Sequence, residues 1–307
     1  MANRVLVTGG CGFIGSSLVR KLLKLKKKVI VLDNFVNGNI KFLPEHSNLT
    51  VTKGDIINSD DINNCLEYIP DSVIHLAAHH FIPFCNENPS EAVRVNIYGT
   101  QNLLECISKS KSIDKFIFAS TAAVYGPSDK MCREDNRLDP IDIYGITKKT
   151  GEEIINLFNK TTGIPSYNAR LFNAIGPRET NPHLLPDILK EIQLGNTTIC
   201  LGNLVPKRDY IYVNDIADGI ITLLVCNAES GSYNIGSGHA HSPKEMIATI
   251  SKIMNKKLDI KSVPEKQRRS DRPYLSSNSQ KLAKLGWKCK YNTYDALKET
   301  LLYYKVI

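Results

Sequence analysis

The sequence predicts an α/β protein in which a doubly wound parallel sheet is followed by a smaller C-terminal α/β domain. Three observations carry that expectation. Short β-branched runs alternate with helical periods over the first 120 residues. The runs are apolar throughout, as strands buried on both faces of a parallel sheet are. Several end in small or acidic residues, at the carboxyl ends where such a sheet holds its ligands. With 307 residues, 42% hydrophobic and 23% charged, the chain has an ordinary globular balance and the length for one sizeable domain plus a smaller one. The boundary is expected near residue 170, with 1–170 forming the first domain, 171–307 the second, and some later segments returning to the first.

The first run, Arg4-Val5-Leu6-Val7-Thr8, stops at a turn containing Gly9, Gly12 and Gly15, and an apolar helical period starts at once with Phe13, Ile14, Leu18 and Leu22. Strand, tight turn and helix in that order suit a pyrophosphate, which approaches bare backbone and meets the unpaired N–H groups of the helix N-terminus. A purely structural glycine turn is the alternative for the triplet alone. The second run, Val29-Ile30-Val31-Leu32, closes at Asp33, 18 residues after Gly15, where a carboxylate takes the hydroxyls of an adenosine ribose. No arginine follows in the loop Asn34 to Asn39, so a 2′-phosphate would meet Asp33 without a neighbouring cation. NAD is therefore expected over NADP.

The third run, Leu49 to Lys53, leads into Gly54-Asp55, and Asp55 suits either the adenine amino group or a helix N-cap for the helical pattern at 60–69. The fourth, Ser72 to His75, opens into Leu76-Ala77-Ala78, small enough for a cofactor to lie across the strand ends. The loop His79 to Asn86 carries paired histidines with no third ligand near in sequence, and reads as a pocket wall rather than a metal site. A helix is expected from Ser90 to Lys109, then a fifth strand, Lys115 to Thr121. Tyr144 and Lys148 lie at i, i+4 on one helix face, where the cation is expected to lower the phenol pKa and make it a usable acid/base; Ser120-Thr121 at the strand end can bind the same hydroxyl. Tyr294 and Lys298 repeat the spacing without such a neighbour and read as helix surface.

The formal net charge of +8 comes from scattered lysines. Lys24, Lys26, Lys27 and Lys28 end the first helix and complement its dipole rather than a nucleic acid. The mild positive bias suits an anionic small molecule. Eight cysteines are scattered without CxxC pairs, as free thiols in a reducing compartment are. No apolar run approaches a membrane span and no leader pattern is seen, so a cytoplasmic protein without membrane, metal or nucleic-acid partner is expected.

The succession TGGCGFIG, GDI, HLAA, ASTAAVYG, YGITK, ARLFNAIGPRE, KRDYIYVNDIA, YNIGSG and LGW resembles the extended branch of the short-chain dehydrogenase/reductase family over nearly the whole chain. Within that branch the likeness is to nucleotide-sugar epimerases and dehydratases, UDP-glucose 4-epimerases among them. The resemblance implies a Rossmann domain holding NAD through Gly9, Gly12, Phe13, Ile14, Asp33, Asn34, Asp55, Ile56, Leu76, Ala77, Ala78, Tyr144 and Lys148. It implies that Thr121 is the catalytic Ser/Thr, Tyr144 the base and Lys148 its electrostatic partner and ribose ligand. Thr121, Tyr144, Asn173, Arg208, Arg268 and Asp271 then bind the substrate, arginine being well shaped for a diphosphate. A homodimer is also implied, paired through the helices that follow GT and YxxxK; the apolar Ile154, Ile155, Leu157 and Phe158 need cover.

The activity so implied is NAD-dependent epimerisation at C4 of a UDP-linked hexose through a transient 4-keto sugar. A nucleotide-sugar dehydratase (4,6 or 5,6) or decarboxylase sharing the first oxidation is the alternative. A non-catalytic NAD-binding regulator is a third reading, against which the retention of Thr121, Tyr144 and Lys148 speaks. In dehydratases of this branch an Asp-Glu pair follows the catalytic Ser/Thr, and decarboxylases usually keep the Glu; here the two positions are Ala122 and Ala123. The chain departs from the epimerase pattern in the loop His79 to Cys85 and in the short connection from Pro177-Arg178-Glu179 to Pro182-His183-Leu184-Leu185-Pro186. Both lie beside the expected sugar.

Overall fold

The computed structural model describes residues 3–179, 181–266 and 272–307. In chain order the first part comprises β1 (Arg4–Thr8), α1 (Phe13–Lys24), β2 (Lys28–Asp33), β3 (Leu49–Lys53), α2 (Ser59–Leu66), β4 (Ser72–His75), α3 (Ile82–Glu87), α4 (Pro89–Val93), α5 (Thr100–Ser108), β5 (Lys115–Thr121), α6 (Ile143–Thr162) and β6 (Ser166–Leu171). There follow β7 (Asn173–Ile175), α7 (Leu184–Gln193), β8 (Thr198–Leu201), β9 (Lys207–Tyr212), α8 (Val213–Val225), β10 (Gly231–Ile235), β11 (Ala240–His241), α9 (Pro243–Met254), β12 (Asp259–Ser262), β13 (Tyr274–Leu275), α10 (Gln280–Ala283) and α11 (Thr293–Tyr303).

Seven strands form one sheet in the order β10-β6-β5-β4-β1-β2-β3, every pair parallel. The chain winds outward from β1 to β3, then returns to the other side of β1 and winds outward through β4, β5 and β6. Connections from β1 and β4 therefore diverge, and the crevice between them opens at the carboxyl ends. The uninterrupted apolar runs have a simple cause. Val5 and Val7 of β1 pack with Leu18 and Leu22 of α1 and Ile220 of α8, whereas Leu6 packs on the opposite face with Ile62 of α2 and Leu103 of α5. All are buried, and each such side chain contributes roughly 1.5–3 kcal/mol. Both α8 and β10 come from the second half of the chain.

The expected helix from Ser90 to Lys109 forms without a break from Pro89 to Ser108, but it is widened in the middle. Between α4 and α5, Arg94–Gly99 forms a π-helical stretch, a wider turn of the kind found at functional sites. Gly99 sits at its end because a Cβ there would lie 2.8 Å from Cδ1 of Ile56.

The second, smaller layer is centred on β9, with β7 and β13 parallel to it and β11 antiparallel, while β8 pairs with β12. Its core gathers Ile188 and Leu189 of α7, Ile247 and Ile250 of α9, and Leu297 and Leu301 of α11. Phe13, the first residue of α1, belongs to this core, so the glycine turn is stitched to the smaller layer. No helix among the described residues is long and apolar enough to cross a membrane.

Candidate active site

A cleft of about 970 Å³ runs along the carboxyl ends of the sheet and under the smaller layer. Every candidate residue that the structure describes lines it, from Gly9 at the first turn through Thr121, Tyr144 and Lys148 to Asn173 and Arg208. Arg268 and Asp271 lie outside the described residues.

One end combines a tight glycine turn, a helix N-terminus and a buried acid. Gly9 has φ +69°, and a Cβ on it would sit 2.8 Å from the nitrogen of Ala77; a Cβ on Gly15 would lie 2.2 Å from the Gly9 carbonyl oxygen. These two glycines close the turn against β4 and α1. Gly12, the N-cap of α1, has no side-chain capping bond, and the first turn carries no acid, so the N–H groups and the helix dipole face the cleft. Asp33 ends β2 and is fixed from both sides. The Cys11 N–H donates to its Oδ2 at 2.8 Å and the Phe35 N–H to its Oδ1 at 2.9 Å. Burial raises its pKa while these bonds lower it. Asn34 Nδ2 donates to Oδ2 of Asp55 at 2.8 Å. Asp55 is no helix cap, since the N-cap of α2 is Asn58.

The other end carries titratable groups. Tyr144 and Lys148 rise from the first turns of α6, whose N-cap Asp142 accepts from the Gly145 N–H at 2.7 Å. Thr121, at the tip of β5, hydrogen-bonds the Tyr144 hydroxyl and accepts from the Ala123 N–H at 3.1 Å. Lys148 is 2% exposed, with its ammonium 4.4 Å from the centroid of the Phe118 ring, a cation–π contact. Burial pushes its pKa down to about 7, against the raising effect of Cys85 and Glu152. The expected lowering of the Tyr144 pKa is not what the structure gives. Burial raises the phenol above its ordinary range, outweighing the Thr121 hydrogen bond. Losing the hydration of a phenolate costs more than one hydrogen bond returns.

A family model described as GDP-mannose 4,6 dehydratase matches residues 6–300. The chain belongs to that family, a group of extended short-chain dehydrogenases/reductases. It is 31% identical to a bifunctional UDP-glucose 4-epimerase and UDP-xylose 4-epimerase of Pisum sativum, over 97% of this chain and 94% of the relative. It superposes on the UDP-glucose 4-epimerase of Thermus thermophilus in complex with NAD with a TM-score of 0.90 at 28% identity, covering 98% of this chain and 99% of the other. A dTDP-glucose 4,6-dehydratase of Bacillus anthracis in complex with NAD is nearly as similar, with a TM-score of 0.89 at 26% identity, over 99% and 97%. The chain is thus an enzyme of the nucleotide-sugar epimerase and dehydratase family.

Two positioning residues of this extended short-chain dehydrogenase/reductase escaped the sequence reading. Arg272 is buried and binds three points at once: Nε donates to the Tyr125 carbonyl at 2.9 Å, Nη2 to the Ala123 carbonyl at 2.8 Å, and Nη1 pairs with Asp142 at 3.1 Å. It clamps the turn after Thr121 to the N-cap of the helix that carries Tyr144. The signal in the sequence was an arginine directly after Asp271. Asn96, in the π-helical stretch, accepts from the His79 N–H at 2.8 Å and donates to the His79 carbonyl at 2.8 Å and to Oγ1 of Thr147 at 3.0 Å. It fixes the loop after β4 to α6, and its place inside an expected plain helix gave no hint of that bond.

Proposed function

We propose that the enzyme inverts C4 of a UDP-linked hexose with NAD as cofactor. The observation that carries this reading is the turn after Thr121, where buried Ala122 and Ala123 line the cleft in the positions that supply an acid and a base in dehydratases of the family. Methyl groups move no protons, so a 4-keto sugar held there has no local route to lose water.

The residues fit NAD. All of these residues line the cleft: the backbone of Gly9, Gly12, Phe13 and Ile14 would hold the pyrophosphate, Asp33 a ribose, Asn34, Asp55 and Ile56 the adenine, and Leu76 to Ala78 with Lys148 the nicotinamide half. When bound, NAD accepts and returns a hydride and brings a positively charged ring that favours the phenolate of Tyr144. Tyr144 takes the proton of the C4 hydroxyl, Thr121 orients that hydroxyl, and Lys148 adds charge beside both. Asn173 and Arg208, together with Arg268 and Asp271, hold the nucleotide's diphosphate and ribose, the arginines suiting the diphosphate and the carboxylate of Asp271 the ribose hydroxyls. Residues 171–307 supply this nucleotide-sugar side and residues 1–170 the cofactor side. Tyr144 gives the proton back after the ring has turned its other face.

The test is incubation with a panel of UDP-, dTDP-, GDP- and CDP-sugars. An isobaric product at a new retention time supports epimerisation, and a product lighter by one water or one carbon dioxide overturns it. A second experiment concerns the cofactor. NAD is expected to bind roughly tenfold to hundredfold tighter than NADP, the worth of a charged hydrogen-bond pair, and Asp33→Ala to narrow that gap in parallel fluorescence titrations. Equal titration of the parent by both cofactors would count against the assignment.

The enzyme is proposed to form a homodimer. Val93, Tyr98, Ile146 and Leu157 are 45%, 55%, 46% and 62% exposed around the packed pair of α4 and α6, an apolar face that a second copy would cover.

A further inference from the structure

The two segments where the sequence departs from the epimerase pattern fold against each other. His80 Nε2 accepts from Asn181 Nδ2 at 2.6 Å, the rings of His80 and His183 are 6.0 Å apart, and those of Phe81 and His183 are 5.7 Å apart. Behind this wall stands Glu179. Its side chain is 3% exposed, Oε1 lies 2.7 Å from Nδ1 of His183, and Oε2 is buried with no hydrogen-bond partner among the described residues. Glu179 and His183 both line the cleft.

We infer that Glu179, with His183 holding one of its oxygens, is the residue by which the pocket selects an uncharged sugar and refuses a sugar acid. This rests on the proposed nucleotide-sugar reading. A buried oxygen left without a partner is costly, and a hydroxyl or amide of the sugar supplies the missing bond; a site so built discriminates strongly against a group that cannot complete it. Among the described residues of this wall there is no arginine or lysine to meet a sugar carboxylate, and His183 is already engaged by Glu179. The adjacent cation, Arg178, is turned toward α1, where Nε donates to Oγ of Ser16 at 3.0 Å and Nη2 to Oγ of Ser17 at 2.8 Å, and it stacks on Tyr303. Asp187 already occupies the first turn of α7. Burial and the charges of His183 and Lys148 hold His80 neutral, with a pKa of about 4. Burial likewise raises the Glu179 pKa well above the carboxylate range.

Calorimetric titration of the NAD-loaded chain, which needs no turnover, tests this with UDP, UDP-glucose and UDP-glucuronate. The parent is expected to bind UDP-glucose about thirtyfold or more tighter than UDP-glucuronate. Glu179→Ala is expected to weaken UDP-glucose about tenfold with UDP within about twofold of the parent, and Glu179→Gln, which keeps a donor and an acceptor, to restore most of the loss. Should the alanine variant not fold, the glutamine variant and the parent's preference carry the test. Equal affinities of the parent for the two sugars, or parallel loss of UDP and UDP-glucose in the variant, would overturn the inference. Tight, selective binding without conversion would instead defeat the proposed epimerisation and leave this inference standing.

Discussion

Tyr144→Phe is expected to lower turnover by about 10²- to 10⁴-fold, the usual contribution of a general acid/base, while NAD binding and melting temperature stay close to those of the parent. The substitution deletes one oxygen whose partner is the Thr121 hydroxyl and leaves the half-buried ring in place. Because Tyr144 lies four residues before Lys148 on α6, loss of the helix would remove both; retained folding is the necessary control. Tyr294→Phe, at a similarly spaced but 39% exposed position, is expected to change little. Steady-state rates with circular dichroism on both variants check the pair, and near-parental turnover of Tyr144→Phe would refute its role.

The largest loss of stability is expected from Arg170→Met. Arg170 of β6 and Glu152 of α6 are 4% and 3% exposed. Nε donates to Oε1 at 2.9 Å and Nη2 to Oε2 at 2.7 Å, while Nη1 donates to the Tyr125 hydroxyl at 2.9 Å. Ser120, next to Thr121, donates to the same carboxylate. Removing the guanidinium strands a buried charge at a cost of about 3–5 kcal/mol, roughly ten degrees in melting temperature for a chain of this size. The double variant with Glu152→Met is expected to recover part of the loss, because an apolar pair of similar volume often replaces a buried ion pair with little penalty. Denaturant titration of the three proteins decides, and a single-variant loss below about 1 kcal/mol would show that the pair is not sealed from water.

What could be read without a structure was local. Gly9 and Gly15 are forced by a turn and a helix that follow within a few residues, Asp33 closes the strand beside them, and Tyr144 and Lys148 share one helix face. Each needs only strand, turn or helix periodicity to be located, and each lines the cleft. What could not be read joins distant segments. The bond from Asn181 to His80 spans 101 residues and those of Arg272 to the turn after Thr121 about 150. Asn96 in the widened stretch of helix bonds the loop at His79, which an apolar spacing like that of a plain helix does not show. The error over the Tyr144 pKa has the same origin, since helix spacing gives the distance to a cation but not the depth of burial. The segments 79–85 and 177–186 stand out in the sequence, yet their meeting around Glu179 required the fold.

The central claim is that one hydride leaves C4 and returns to C4 on the opposite face while Tyr144 carries the proton. Turnover of a UDP-hexose deuterated at C4, followed by mass and proton magnetic resonance analysis of the product, tests it most directly. The account predicts an isobaric, C4-inverted sugar that keeps its deuterium at C4 even in ordinary water. Loss of that label to solvent, or its transfer to another carbon of a product lighter by one water, would contradict it.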